Sequence, residues 1–290
     1  MPFRPAFHQP NFLKIGEILK APDGDTFVVV GKLGAGACAQ VFEAKNEKRN
    51  GEDAGMVAMK IGKIEREDYA RIKREIEILE IVKNVPNTIM LKKIFSYKCN
   101  DVDFQILVLE TMGDSLKDLI KDKTVCTPNA IRVGMILLDV FQHFQKLGVV
   151  YKDLHAGNVL FSKDLRTMKL IDFGLSEKSP RNSATDDKAY KYIYDPTMIT
   201  FLMVNMKTNY KNAKQPRCSI SYYVNGLKDV RENLLEAGML FLKSFIDELL
   251  DQIKGHLSYP KLKLALATGL PTYSEDDGFI VSSTIPPSLV

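Results

Sequence analysis

The stretch YKDLHAGNVLF and the DFG that follows it hold three oxygen-bearing side chains: Asp153, Asn158 and Asp172. Two carboxylates and an amide are hard donors, suited to Mg²⁺ and the phosphate oxygens that accompany it. A carboxylate in such a place can also take the proton of an attacking hydroxyl. The motif is short, and a polar helix-to-strand turn would read the same, so the residues upstream decide. Leu33-Gly34-Ala35-Gly36 has two positions bare of side chains, which lets backbone N–H groups approach a polyphosphate closely. Val57-Ala58-Met59-Lys60 ends an apolar run on an ammonium, a compact point charge for phosphate. Glu75 or Glu77 can face that lysine from the next element, and Glu75 is preferred because Ile72, Ile76 and Leu79 surround it on the inward side. Each piece alone has a bland explanation: a tight hairpin, a solvated strand end, a surface charge. The ordered set does not.

These residues need elements to position them. FVVVGKL (Phe27–Leu33), QVFEAKN (Gln40–Asn46) and MVAMKIG (Met56–Gly62) alternate as strands, the first two joined by the turn GAGACA. NEKRNGEDAG (Asn46–Gly55) reads as a polar hairpin loop. The charged, periodic EREDYARIKREIEILEIVKN (Glu65–Asn84) predicts a helix, and two more strands fall near Met90–Tyr97 and Phe104–Leu109. PDGD (Pro22–Asp25) is turn chemistry. From Gly113 the pattern becomes helical: a short SLKDLIKD, then Pro128–Gly148, apolar nearly all round as in a buried central helix. A strand pair is expected near Val159–Phe161 and Met168–Ile171, with helices near Pro196–Met206 and Leu227–Ile253 and an extended tail after Leu270.

Composition sets the outer bounds. The 290 residues carry 45% hydrophobic and 26% charged side chains, enough for a large core without disulfide or metal staples. A net charge of +4 does not argue for nucleic acid. Cys38, Cys99, Cys126 and Cys218 form no C-x-x-C pair, which suits a reducing compartment. No apolar run reaches membrane-span length and the first residues are not a signal peptide, so a soluble intracellular protein is expected. Lys207, Lys211, Lys214 and Arg217 make a basic stretch, either a solvated loop or a site for an acidic partner, a membrane surface or nucleic acid. Cys38, in the glycine turn, is either an inert small residue or a reactive thiol.

In this order the glycine turn, V-A-x-K strand, helical glutamate, D-L-x-x-x-N loop and DFG resemble the protein kinase superfamily, across roughly Phe27 to Ser176. The run LVLETMGDSLKDLI is most similar to the casein kinase I and vaccinia-related branch. The resemblance implies an α+β, bilobal kinase-like fold: an extension (1–26), a five-stranded N-lobe (27–112), a reduced helical C-lobe (113–270) and a tail (271–290). It implies ATP and Mg²⁺ as cofactors and transfer of the γ-phosphate to Ser/Thr of protein substrates. Gly34, Gly36 and Val41 would cover the nucleotide, and Lys60, held by Glu75, would bind its phosphates. Glu110 and Met112 would meet the adenine edge through backbone groups, with Leu109 as gatekeeper. Asn158 and Asp172 would ligate metal, and Asp153 would act on the substrate hydroxyl.

The chain also departs from that pattern. Ala39 replaces the third glycine, and Tyr151-Lys152-Asp153 stands where HRD is usual. His155, counted with Asp153 and Lys60 among the catalytic candidates, stands where protein kinases usually carry a lysine that meets the γ-phosphate, and DLHAGN is similar to the loop of aminoglycoside and choline phosphotransferases. A drifted protein-kinase loop, a small-molecule phosphotransferase and a nucleotide-binding pseudokinase all stay open. No A-P-E follows DFG. The segment after DFG is also similar to compact atypical kinases, a resemblance that implies a short activation segment and no activation-loop phosphoregulation. Asp195 is read either as a buried aspartate that steadies the catalytic loop or as a helix N-cap.

Overall fold

The computed structural model describes residues 11–36, 38–47, 53–121, 123–179, 189–208, 220–234, 238–253, 256–270, 274, 278–281 and 289. By internal contacts the chain divides into two units, Met1–Leu79 with Ile89–Thr111, and Glu80–Thr88 with Met112–Val290.

The first unit is built on an antiparallel sheet. Its strands are β1 (Ile18–Lys20), β2 (Thr26–Ala35), β3 (Gln40–Glu47), β4 (Asp53–Lys63), β5 (Leu91–Cys99) and β6 (Val102–Glu110), in the order β1-β2-β3-β4-β6-β5. Six strands, not the expected five, make the sheet. The PDGD turn is the reason: Lys20 pairs with Thr26 across it, so the turn closes a hairpin and recruits a strand from the segment before Phe27. Lys93 ties that turn to β5, pairing with Asp23 at 2.5 Å and also with Asp25. The β5–β6 turn places Asn100 at φ 46° and Asp101 at φ 62°, the left-handed pair of a two-residue hairpin, which lengthens both strands beyond the hydrophobic pattern.

Period-two alternation sorts the sheet's faces. Phe27, Val29, Phe42, Ala44, Val57, Met59, Ile61, Phe104, Ile106 and Val108 share one buried cluster with Leu13 and Leu19. Ala58, Lys60 and Gly62 therefore turn to the opposite face, where α1 (Arg66–Val82) packs. Ile72, Glu75, Ile78, Leu79 and Val82 are its buried residues. Ile76, expected on the inward face, is only half-buried and Glu77 is exposed, because the helical stripe runs through Glu75.

The second unit holds α2 (Leu116–Leu119), α3 (Thr127–Leu147), β7 (Val149–Val150), β8 (Val159–Phe161), β9 (Met168–Leu170), β10 (Glu177–Lys178), α4 (Ala189–Thr208), α5 (Ile220–Glu232), α6 (Lys243–Gln252) and α7 (Tyr259–Ala267). Ser115 caps α2 by accepting the Asp118 N–H at 3.2 Å. Pro128 opens α3 and Gly148, at φ 72°, ends it. A Cβ on Gly134 would lie 2.9 Å from both Leu266 and Met203, so α3 is pressed against α4 and α7 at a bare position. β8 pairs with β9 as expected; β7 pairs with β10, two residues each, too short to show a sequence period.

Two helical expectations are corrected. Pro196 lies inside α4, which starts at Ala189, rather than opening it. The region read as one helix over Leu227–Ile253 is α5 and α6, with Gly238 at φ 65° and a 3₁₀ turn at Leu240–Leu242 between them. Part of the tail is docked: Asn129 Nδ2 donates to Ile280 O at 2.8 Å, Asn129 Oδ1 accepts the Ile280 N–H at 2.8 Å, and Phe279 meets Phe161 edge-on at 5.1 Å. No helix among the described residues is long and apolar enough to cross a membrane.

Candidate active site

The first unit carries the glycine turn and the lysine–glutamate pair. Gly34 lies opposite Val41 at the closed end of the β2–β3 hairpin, and Gly36 N–H donates to Ala39 O at 2.8 Å. A Cβ on Gly34 would meet nothing within 4 Å, and one on Gly36 only Ala39 O at 3.8 Å. The fold has room for side chains at both positions, so the bare backbone is a surface property open to a ligand's approach. Val41 sits across the ladder from Lys60. Lys60 Nζ is 2.6 Å from Glu75 Oε2, and the two side chains are 14% and 3% exposed.

Gly62 makes that pair reachable, and no motif marked it. A Cβ there would come within 2.1 Å of Ile72 Cδ1 and 3.0 Å of the Cys38 carbonyl. The missing methyl lets α1 seat on β4 one turn before Glu75. An isolated glycine inside a strand pattern was the available signal. At the end of β6, Glu110 N–H donates to Met90 O at 3.1 Å and Glu110 Oε1 accepts the Met90 N–H at 2.7 Å. Both its N–H and its side chain are thus tied to Met90. Leu109 is buried, and Met112, which belongs to the other unit, is half-buried.

The second unit carries the loop after α3. Tyr151 is buried against Phe141 and Phe173, with ring centroids 6.1 and 5.4 Å away, and its hydroxyl donates to Ile171 O at 2.5 Å. Burial pushes its pKa up, and the charges of Asp172 and Asp153 add to the effect. Lys152 follows in the left-handed region at φ 70°. Asp195, from α4, accepts the Tyr151 N–H at 2.8 Å and the Lys152 N–H at 2.9 Å. Burial pushes the Asp195 carboxyl up to about 6, against the pull of those two N–H groups. Asp195 therefore steadies the loop from within α4 and is not a helix cap. Ser176 Oγ donates to Tyr151 O at 3.1 Å, and Lys152 Nζ pairs with Glu177 at 2.5 Å.

Asp153, His155 and Asn158 then come together. Asn158 Nδ2 donates to Asp153 O at 2.9 Å and to Asp153 Oδ2 at 3.1 Å. Ile171 N–H donates to Asn158 O at 3.0 Å and so leads Asp172 alongside the loop. Asp172 sits at φ 59°, with Oδ1 accepting the Gly174 N–H at 3.3 Å. His155 Nδ1 accepts the Gly157 N–H at 3.0 Å, so the neutral ring carries its proton on Nε2, which lies 3.9 Å from Asp153 Oδ2. Burial lowers the His155 pKa and Lys117 lowers it further, while Asp153 and Asp172 oppose them.

The sequence of residues 27–207 matches the protein kinase domain family. This chain belongs to that family. The kinase domain is 32% identical over 152 residues to Cell division control protein 7 of Schizosaccharomyces pombe, and 28% identical over 194 residues to Calcium-dependent protein kinase 25 of Arabidopsis thaliana. These matches cover 50% and 64% of this chain but only 13% and 37% of those proteins. Its fold is similar to the structure of vaccinia related kinase 3, with TM-score 0.58, 10% identity, and coverage of 90% of this chain and 92% of that one.

Among the described residues of this kinase domain, no group of three or more His, Cys, Asp or Glu side chains is gathered as a metal cage. Asn158 and Asp172 are oxygen donors too few to enclose a cation by themselves. That fits Mg²⁺, which keeps several waters and completes its shell with phosphate oxygens. Cys38, Cys99 and Cys126 are not joined in disulfides, and Cys218 lies outside the described residues. Of the basic stretch, Lys211, Lys214 and Arg217 also lie outside them, while Lys207 Nζ donates to Val125 O at 3.2 Å.

Proposed function

We propose that this chain is a protein kinase that uses ATP and Mg²⁺ to phosphorylate Ser or Thr of protein substrates. The observation that carries the reading is the Asn158–Asp153 pair. An amide that holds the carboxylate from its own loop fixes Asp153 where an acceptor hydroxyl can hand it a proton, a contribution typically worth roughly 10²–10⁴-fold. Asn158 and Asp172 would hold Mg²⁺, which neutralises charge on the phosphate oxygens when bound. Lys60, its ammonium oriented by Glu75, would hold the nucleotide's phosphates, with the bare turn at Gly34 and Gly36 beside Val41 giving backbone cover. The Glu110 carbonyl and the Met112 N–H would receive adenine.

His155 keeps a second reading in view, because its ring is built into the loop by Gly157 rather than left as a drifted surface residue. A small hydroxyl compound as acceptor follows from that reading. Lys152 is already paired with Glu177, so activity without activation-loop phosphorylation is part of the proposal. So are a reducing, intracellular compartment for the unbridged cysteines and an acidic partner for the 207–217 stretch.

The test is transfer of label from γ-labelled ATP to casein and to the chain itself. It should need Mg²⁺ and disappear in Asp153→Asn and Asp172→Asn. Turnover only with aminoglycosides or choline would replace this reading with the small-molecule one. Nucleotide binding with no transfer would make the chain a pseudokinase.

A further inference from the structure

We propose that Lys117, on α2, supplies the cation that faces the transferred phosphoryl group beside Asp153, in place of the lysine that His155 has replaced. This rests on the reading of the site as a phosphotransferase. His155 cannot serve as that cation. Its Nδ1 is occupied as an acceptor by the Gly157 N–H, and protonation there would break the turn that shapes the loop. Lys152, the next cation in sequence, is committed to Glu177 at 2.5 Å.

Lys117, from α2, is a further cation beside this loop. Leu116, fully buried, anchors α2, and Lys117 next to it is exposed and forms no ion pair among the described residues. Its stem runs past the loop: a Cβ built on Gly157 would lie 4.0 Å from Lys117 Cδ and 3.0 Å from the His155 ring. The bare Gly157 is where the lysine stem and the imidazole come together. A flexible, strongly hydrated charge is suited to follow a group that moves in the reaction.

The chemistry stays balanced. The acceptor oxygen bonds to the γ-phosphorus as the bond to the β-phosphate oxygen breaks. Asp153 takes the hydroxyl proton, ADP leaves, and Lys117 keeps its protons throughout. The lysine contributes charge only.

The experiment compares the full chain with Lys117→Ala, Lys117→Arg and the double variant Lys117→Ala/His155→Lys. It reads MgATP and MgADP affinity by calorimetry, kcat and KM on casein, and Tm. Lys117→Ala should lose about 10-fold in ATP affinity with ADP affinity unchanged, and about 10²-fold in kcat, the usual loss for one charge-stabilising group. Lys117→Arg should retain most of both. The double variant should regain them, since it returns a cation to the loop from the other side. Tm should stay within about 2 °C, as expected for an exposed side chain. An unchanged ATP-to-ADP ratio in Lys117→Ala overturns the proposal, as does failure of the double variant to recover. A change confined to KM for casein overturns it too, and assigns Lys117 to substrate docking. A parent chain that binds ATP but transfers nothing removes the proposed function alone, because the affinity ratio still judges Lys117. A parent chain that binds no nucleotide removes both.

Discussion

Asp195 accepts the backbone N–H of Lys152 at 2.9 Å and so holds a lysine in the left-handed region at φ 70°. Its other carboxylate oxygen takes the Tyr151 N–H, so one buried side chain sets the path of the backbone into Asp153. Asp195→Asn puts an NH₂ group against one of these donors. We expect a loss of about 2–3 kcal/mol of stability, from the penalty of a buried unpaired donor and a lost charged hydrogen bond, and a fall in kcat larger than any change in ATP affinity. Urea melts and steady-state kinetics together check it.

The same carboxyl gives a pH prediction. Its folded-state pKa is raised to about 6 from the ordinary 3.8, so the folded protein holds the extra proton over that window. The stability this group contributes is fully present below about pH 4 and lost as pH rises through about 6. Catalysis should run the other way, because the protonated carboxyl has one oxygen that can no longer accept an N–H bond. Activity should therefore fall as pH drops through about 6. The ¹³C shift of the Asp195 carboxyl should titrate with the same midpoint; a midpoint near 4 would sink the assignment.

Lys60→Met leaves Glu75, 3% exposed, without the ammonium 2.6 Å away. Transfer should vanish. Stability should fall by about 3 kcal/mol, since removal of one member of a buried pair takes the compensating charge from the other. Adding Glu75→Gln should recover much of the stability and none of the transfer, as read by Tm and label transfer.

Gly62→Ala tests how α1 is seated. The new methyl would meet Ile72 Cδ1 at 2.1 Å and the Cys38 carbonyl at 3.0 Å. The expected cost is about 1–3 kcal/mol from overpacking, together with weaker ATP binding as Glu75 is pushed from Lys60. Ile72→Val in the same chain should recover part of both, because the nearest clash is with the end of a flexible side chain.

The residues proposed for the site were picked out where phosphoryl transfer calls for a residue type: Lys60, Asp153, Asn158 and Asp172 carry the ammonium, carboxylates and amide that such chemistry uses. The long elements were legible from their periods, α3 and the central strands above all. What escaped lacks a period or depends on the third dimension. β1, β7 and β10 are three, two and two residues long, too short to alternate visibly. Pro196 looks like a helix start, yet α4 carries it internally. Gly62 and Gly157 do their work through neighbours remote in sequence or from another element, Ile72 and Lys117, which no local pattern announces. Asp195 was readable as a buried aspartate, but its two backbone partners lie 44 and 43 residues away.

The clasp of Asn129 on Ile280 spans 151 residues. It bears on the order of events during synthesis. The strands of the first unit have all left the ribosome once residue 110 has emerged. The first turn of α3 emerges soon after, with its amide still lacking that tail backbone. Domains fold as units while the chain is being made, at roughly 5–20 residues per second, so several seconds pass before the missing strand of backbone arrives. In that interval the nascent helical half is the part of this molecule that a chaperone would meet with an open end.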